Sequence, residues 1–259
     1  MKHLIYRFME NSDYIFGIHS AIEAIEAGRT VDKLLIKKDL NGELAIRLIH
    51  LAKDYGIPVQ RVPVEKLNRI TRKNHQGVIG FMSAVAYYSL EDILPAMFED
   101  GVLPFLLVLD GITDVRNFGA IARTAECCGV NAIVIPQRGS VTVGADAVKT
   151  SAGALLHIPV CRVASLPQAV QYIKDSGCQI VCATEKASEN YTLGDYTTPL
   201  ALVMGAEDTG ISPEVLRKAD TRSAIPMFGK IGSLNVGVAA GVMMYEVVRQ
   251  RLDGNLEII

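Results

Sequence analysis

A chain of 259 residues, 49% of them hydrophobic and with a net charge of −2, is long enough to bury one large core or two ordinary ones. The composition excludes several classes. MKHLIYRFMENSD has no sustained apolar run and no small-residue cleavage site, so no secretory leader is expected, and no segment has the length and apolarity of a membrane span. The five cysteines include no CxxC pair and read as reduced thiols of a cytoplasmic protein rather than a metal site; no metal is expected.

The first segment alternates helix and strand. Ile18, Ile22 and Ile25 are spaced by four and three, which predicts a helix over FGIHSAIEAIEA with Gly28 as its stop. VDKLLIKK reads as a strand, ELAIRLIHLAKDYG as a helix ended by Gly56, and IPVQRV as a second strand. VEKLNRITRK reads as a short helix, and GVIGFMSAVAY as the last strand of a small α/β domain over residues 1–84. Charge is uneven: this segment holds 13 basic against 9 acidic residues, and the remainder 13 against 19. The basic side chains concentrate in RVPVEKLNRITRKNH, where Arg69, Arg72 and Lys73 stand near His75 and Gln76. The patch reads either as a phosphate-attracting surface or as a solvated helix face, and HQG either as a base reader or as a turn.

A connecting stretch, 85–102, precedes a series of βα units that occupies 103–259. Strands are expected at 103–110, 131–136, 157–163, 178–184, 200–204 and 222–227, and helices at 117–128, 144–154, 165–176, 212–219 and 235–252. Such alternation predicts a parallel sheet covered on both faces. Ligands of open parallel sheets bind beyond the carboxyl ends of the strands, so the loops after strands are the ones to inspect. Three are rich in glycine and polar residues: DVRNFGAIARTA, LVMGAEDTGIS (Leu202–Ser212) and IPMFGKIGSLNVGVAAG (Ile225–Gly241). None matches a dinucleotide or phosphate-loop fingerprint, a zinc-helix motif or a hydrolase elbow, which argues against a nicotinamide-dependent oxidoreductase. Arg116 and Arg123 fall within about 20° of each other if the helix includes both. Asn117 is placed to cap that helix, and Gly119 leaves room above its first turn. Ile121, Ala122 and Ala125 around Arg123 suggest a partly buried guanidinium, paired with Glu126 or Glu207 or facing a phosphate.

Taken together, NFGAIARTAECCGV, LVMGAEDTGIS and IPMFGKIGSLNVGVAAG resemble, in order and spacing, the three signature motifs of the SpoU (TrmH-like) family of RNA ribose 2′-O-methyltransferases. FGIHSAIEAI, VDKLLI and HQGVIGF resemble that family's N-terminal substrate-binding domain. The resemblance implies an L30e-like α/β domain followed by a SPOUT-type parallel α/β domain with a C-terminal trefoil knot. It also implies S-adenosylmethionine as cofactor and a homodimer with each site at the interface. Carried onto this chain, it makes Asn117, Arg123, Glu207, Ser233 and Asn235 the polar active-site positions. Gly205, Ile225 and Leu234, with Met227 and Thr184, become the cofactor pocket. Arg116, Arg69, Arg72, Lys73, His75 and Gln76 are the expected RNA contacts. The resemblance implies Arg123 as the base that takes the ribose proton; the chemistry of a guanidinium favours instead its gripping the adjacent phosphate and orienting the hydroxyl.

The nearest subgroup methylates a guanosine ribose of 23S rRNA; a tRNA ribose and a non-catalytic RNA binder are the alternatives. The chain departs from the family pattern at Gly237, where a hydroxyl is usual, at Asp208, where glycine is usual, and at Leu156, where Glu is frequent. None of these is one of the five polar positions.

Overall fold

The computed structural model describes residues 14–253. The chain divides into two compact units. One runs to Ala86 and takes back Thr142–Ala145; the other comprises Tyr87–Val141 and everything from Asp146 onward.

In the first unit β1 (Tyr14–Phe16), α1 (Ile18–Glu26), β2 (Val31–Lys37), α2 (Glu43–Asp54), β3 (Val59–Val62), α3 (Val64–Ile70) and β4 (Val78–Met82) follow in order. The sheet runs β1-β4-β2-β3, with β2 and β3 parallel and β4 antiparallel to both its neighbours. Successive side chains of a strand face opposite sides. Leu34 and Ile36 therefore join Ile18, Ile22, Ile25 and Leu48 in the larger core, while Leu35 and Ile79 pack with Val62 and Leu67 of α3 on the other side. The returning stretch is fastened where the Val143 N–H donates to the buried Asp32 carboxylate at 2.8 Å. The three-residue β1 was not expected; YIF is too short to show period-two alternation, and the helix starts after it, behind Gly17 at φ 92°.

The second unit comprises β5 (Tyr87–Tyr88), α4 (Leu90–Glu99), β6 (Phe105–Asp110), α5 (Val115–Cys127), β7 (Ala132–Pro136), α6 (Ala145–Thr150), β8 (Val160–Val163), α7 (Leu166–Asp175), β9 (Gln179–Ala183), β10 (Glu189–Asn190), β11 (Leu200–Gly205), α8 (Pro213–Leu216), β12 (Thr221–Ala224) and α9 (Val236–Asp253). Its eight strands are all parallel, in the order β10-β12-β9-β11-β6-β7-β8-β5. The central strands are buried along almost their whole length, as the apolar runs FLLVLD and LALVMG require. From β6 the chain steps outward through β7 and β8 on one side; β9, β11 and β12 fill the other. The order therefore reverses between β6 and β11, and the carboxyl ends beside that point are where a ligand of an open parallel sheet is expected.

Several boundaries differ from the sequence expectations. The connection 85–102 carries β5 and the amphipathic α4, capped by Ser89. The strand expected to reach 227 stops at Ala224, because Pro226 has no N–H to continue the ladder. The helix expected over 144–154 breaks after Thr150, where Ala152 and Gly153 take φ 52° and 89°, and a single 3-10 turn follows. The segment expected as a helix over 212–219 shortens to the four residues of α8, and β10 is too short to carry a pattern.

At the far end, Arg251 of α9 donates to four backbone carbonyls and, among the described residues, to no carboxylate: Tyr196 at 3.2 Å, Leu103 at 3.3 Å, Pro104 at 3.1 Å and Thr198 at 2.9 Å. Its guanidinium lies 5.2 Å from the Phe105 ring centroid, and burial holds its pKa below the usual arginine value.

Candidate active site

The site is assembled from the ends of β6, β9, β11 and β12 and the starts of α5 and α9. After β6, Asp114 caps α5: its carboxylate accepts from the Arg116 N–H at 2.9 Å and the Asn117 N–H at 2.8 Å. The cap is therefore Asp114 and not Asn117, which stands inside the first turn with its amide free to act elsewhere. Gly119 does not open space for a ligand. A Cβ there would lie 2.2 Å from the Thr150 hydroxyl, so glycine is required by the close crossing of α6.

After β11 the chain folds sharply back, with the Gly210 N–H donating to the Ala206 carbonyl at 2.8 Å. A Cβ on Gly205 would meet the Gly210 carbonyl carbon at 2.3 Å, so this glycine serves the fold-back while also lining the crevice. Asp110, at the end of β6, accepts from the Ser212 N–H at 2.8 Å and fixes the exit of that loop. Sequence reasoning passed over Asp110 and Asp114. An acidic residue at the carboxyl end of a buried strand, and another just before a helix, were the available signals.

The third piece is α9, whose Gly237 and Gly241 sides pack against α5 of the same chain. Added Cβ atoms would stand 3.6 Å from Ala120 and 3.8 Å from Thr124. That packing brings Asn235 beside Asn117. Asn235 caps α9 with Oδ1, taking the Gly237 N–H at 3.0 Å and the Val238 N–H at 3.3 Å. Its amide nitrogen donates to Asn117 Oδ1 at 3.0 Å and to Glu207 Oε1. Glu207 Oε1 also takes the Asn117 amide at 3.3 Å and the Val236 N–H at 3.0 Å. One carboxylate oxygen thus latches the starts of two helices to the β11 loop. Glu207 Oε2 has no partner within the chain among the described residues.

Beside this latch lies an open cleft. Thr184, Gly205, Glu207, Ile225, Met227, Ser233 and Leu234, all singled out from sequence, line it, together with Met204 and Glu185. From Met227 to Leu234 no backbone group hydrogen-bonds to another backbone group among the described residues. Ser233 Oγ likewise has no partner among them. The cleft therefore offers an apolar floor, unpaired backbone donors and acceptors, a hydroxyl and a carboxylate oxygen. Such a lining suits a ligand that combines a flat ring with polar edges and a positively charged centre.

Arg123 is not part of this lining. It is exposed rather than partly buried, and pairs with neither Glu126 nor Glu207 among the described residues. It stands six residues beyond Asn117, hence about 120° around α5 and about 9 Å along it. Arg116 is exposed one turn and more before it, on nearly the same face. Exposed Val238 and Tyr245, seven apart on α9, lie on the neighbouring helix.

In the first unit Arg69, Arg72, Lys73 and Gln76 are exposed, and Lys73 lies 5.3 Å from the Phe16 ring centroid. His75 is 8% exposed. Its Nδ1 accepts from the Gly77 N–H at 2.9 Å, which leaves Nε2–H to donate to Asn68 Oδ1 at 2.9 Å. Both ring nitrogens are spent within the chain, so His75 braces the turn and does not read a base. Gln76, beside it, holds φ 48°, unusual for a side chain of its size.

Four cysteines are buried, and burial pushes the thiols of Cys128, Cys161 and Cys182 up to about 12 and that of Cys178 up to about 11, which keeps them un-ionised and inert.

Comparison with known proteins places this geometry. Residues 104–245 match the model of the SpoU rRNA Methylase family, and residues 14–88 match that of the RNA 2′-O ribose methyltransferase substrate binding domain. The chain is 39% identical to YacO of Bacillus subtilis, named as a TrmH family tRNA/rRNA methyltransferase, over 93% of this chain and 97% of that one. A crystal structure of an AdoMet-bound rRNA methyltransferase from Sinorhizobium meliloti superposes with a TM-score of 0.58 at 27% identity, covering 94% of this chain and 89% of that one. The A. aeolicus TrmH/SpoU tRNA modifying enzyme gives a TM-score of 0.53 at 31% identity, covering 64% of this chain and 85% of that one.

Proposed function

This chain belongs to the SpoU family of RNA 2′-O-ribose methyltransferases, and on that premise we propose that it methylates the ribose of a guanosine in 23S rRNA, as a homodimer. S-adenosylmethionine, the cofactor of this family, supplies a methyl group made electrophilic by a positively charged sulfur. The fit to the cleft rests on Met204, Ile225, Met227 and Leu234 for the apolar surface, the unpaired backbone of 227–234 for ring edges, and Glu207 Oε2 for the charge.

The observation that carries the activity is the latch of Asn117, Glu207 and Asn235 at the mouth of that cleft. Holding a nucleophile and its target in line contributes several kcal/mol of rate acceleration, and a three-way hydrogen-bonded latch is the means of holding. Ser233 and Asn235 are placed to bond the ribose or the cofactor. A guanidinium stays protonated near neutral pH and can only donate, so Arg123 serves to grip an RNA phosphate and orient the 2′-hydroxyl rather than to take its proton.

Arg123 points round α5 away from its own Asn117, which supports completion of each site by the Arg123 of a second copy. The exposed strip of Ala120, Arg123, Val238 and Tyr245 is the surface assigned to that contact. A trefoil-knotted path through the loops after β11 and β12 belongs to the same reading, as does a cytoplasmic location. The first unit, with Arg69, Arg72, Lys73 and Gln76, is assigned to hold structured RNA through phosphates and shape.

The choice of rRNA rests on extent of likeness: the S. meliloti rRNA enzyme matches both units, and the A. aeolicus tRNA enzyme matches about two thirds of the chain. Transfer of labelled methyl from S-adenosylmethionine to unmodified bulk rRNA and to unmodified bulk tRNA tests it. Label in 23S rRNA, mapped to one guanosine, is expected; label in tRNA alone would overturn the substrate assignment.

A further inference from the structure

Phe228 is 99% exposed and Ile231 79% exposed, in the loop that leaves β12 for α9. Folding ordinarily takes such rings out of water, so a fully solvated phenylalanine at a functional cleft calls for an occupant. Phe228 belongs to the lip of that cleft by its place in the chain. Met227, immediately before it, lines the wall, and so do Gly232 and Ser233 a few residues on. Consecutive Cα atoms are about 3.8 Å apart, so Phe228 is rooted one residue from the lining.

Three occupants are conceivable: the cofactor, a second copy of the chain, and the RNA. The chemistry of the site favours the RNA. A ribose 2′-oxygen must reach the mouth of the cleft, and the bases beside it bring flat apolar faces to the lip. Proteins recognise unpaired RNA bases by stacking them on exposed aromatic rings. Lys230, also exposed, is the single charged residue of the stretch IPMFGKIGSLN and is positioned for an adjoining phosphate. An added Cβ on Gly229 or Gly232 would meet nothing within 4 Å, and the absence, among the described residues, of backbone–backbone hydrogen bonds from 227 to 234 lets the loop adjust to a strand.

We propose that Phe228 is a stacking platform for an unpaired base at or next to the methylated nucleotide, with Lys230 holding the neighbouring phosphate. The proposal rests on the RNA-methylating reading of the site and adds the substrate feature it recognises: a nucleotide presented outside a duplex.

The chain contains no tryptophan, so Phe228→Trp places a sole indole reporter on the lip. The expected emission is that of a solvent-exposed indole, constant over protein concentration, unchanged by S-adenosylmethionine, and quenched about two-fold on binding RNA that the wild type methylates. RNA binding is followed separately by the anisotropy of a labelled strand. Phe228→Ala is expected to lower kcat/KM about 5- to 150-fold, mainly through KM, the range that the loss of one stacked base implies. Its affinity for S-adenosylmethionine should not change, and Phe228→Tyr should restore activity.

A blue-shifted indole that reddens on dilution would assign the ring to a second copy and overturn the proposal. Quenching by S-adenosylmethionine alone would assign it to the cofactor, with the same result. So would an unaltered emission in the RNA-bound protein, or Phe228→Ala turning over like wild type. Failure of the wild type to methylate any RNA would remove the underlying reading, a result read in a separate assay from the emission.

Discussion

Replacing Glu207 separates holding from chemistry. In Glu207→Ala, the Val236 N–H at the head of α9 and the amides of Asn117 and Asn235 lose a common acceptor. Losing a cap-type bond to a helix N–H costs about 1 kcal/mol, and the two amide bonds add a few tenths each because water replaces them at this exposed site. The total is about 2 kcal/mol, which for a unit of this size lowers Tm by about 4–8 °C. The larger effect falls on rate. With the helix starts no longer tied to the β11 loop, a displacement of about 1 Å at Asn117 or Ser233 lowers single-turnover methylation about 100-fold. Glu207→Gln keeps an oxygen where the bonds converge. It should retain more than half of the lost Tm and stay within about 10-fold of wild-type turnover. Differential scanning fluorimetry and single-turnover transfer read the two effects. An alanine variant with wild-type Tm and rate would refute the latch, and a glutamine variant as slow as alanine would show that the negative charge, rather than the hydrogen-bond geometry, carries the rate.

Four further outcomes follow from the geometry. Arg123→Ala is expected to lower methyl transfer at least about 100-fold while leaving S-adenosylmethionine affinity within a few-fold, measured by calorimetry; comparable losses in both would place the guanidinium in the cofactor pocket. Gly119→Ala drives a methyl to 2.2 Å from the Thr150 hydroxyl and should destabilise by about 1–3 kcal/mol in urea unfolding, with no loss if the α5–α6 crossing can relax. Charge reversal at Arg69 and Arg72 should weaken RNA binding and flatten its salt dependence by up to two contacts' worth, and an unaltered slope in a salt series would clear this surface of the role. The Arg249 guanidinium holds the Glu246 carboxyl below its ordinary value of 4.5. A depressed carboxylate stabilises the fold above its unfolded pKa, and that contribution is lost as pH falls through the folded value. Glu246→Gln should therefore flatten the acid limb of the Tm-against-pH curve below about pH 4.5 without changing its neutral plateau's shape.

The parts legible in sequence are those with a repeating physical signature. FLLVL and LALVM are uninterrupted apolar runs of strand length that alternate with helix-patterned segments, so the parallel sheet and the location of its loops followed. The cleft-lining set from Thr184 to Leu234 was reachable because those residues sit in loops after strands and match a known motif order. What escaped depends on neighbours distant in sequence. Gly119 looks like room for a ligand until Thr150, from another helix, fills it. His75 looks like a reader beside arginines until Asn68 and Gly77 take both its nitrogens. Arg123, among Ile121, Ala122 and Ala125, looks half-buried; the helix rotates those three inward and leaves the arginine outside.

The contacts of Arg251 bear on the order in which the molecule is made. The carbonyls of Leu103 and Pro104, which open the first long strand of the second unit, wait for a donor 148 and 147 residues later in the chain. During synthesis that strand leaves the ribosome long before the guanidinium does; the Pro104 carbonyl meets the Leu200 N–H at 3.0 Å first, while the carbonyls of Leu103, Tyr196 and Thr198 have only water until Arg251 is made. The second unit is therefore closed only once α9 has been made, by a residue that secures with a single side chain the approach to the first long strand of its sheet and the segment leading into β11.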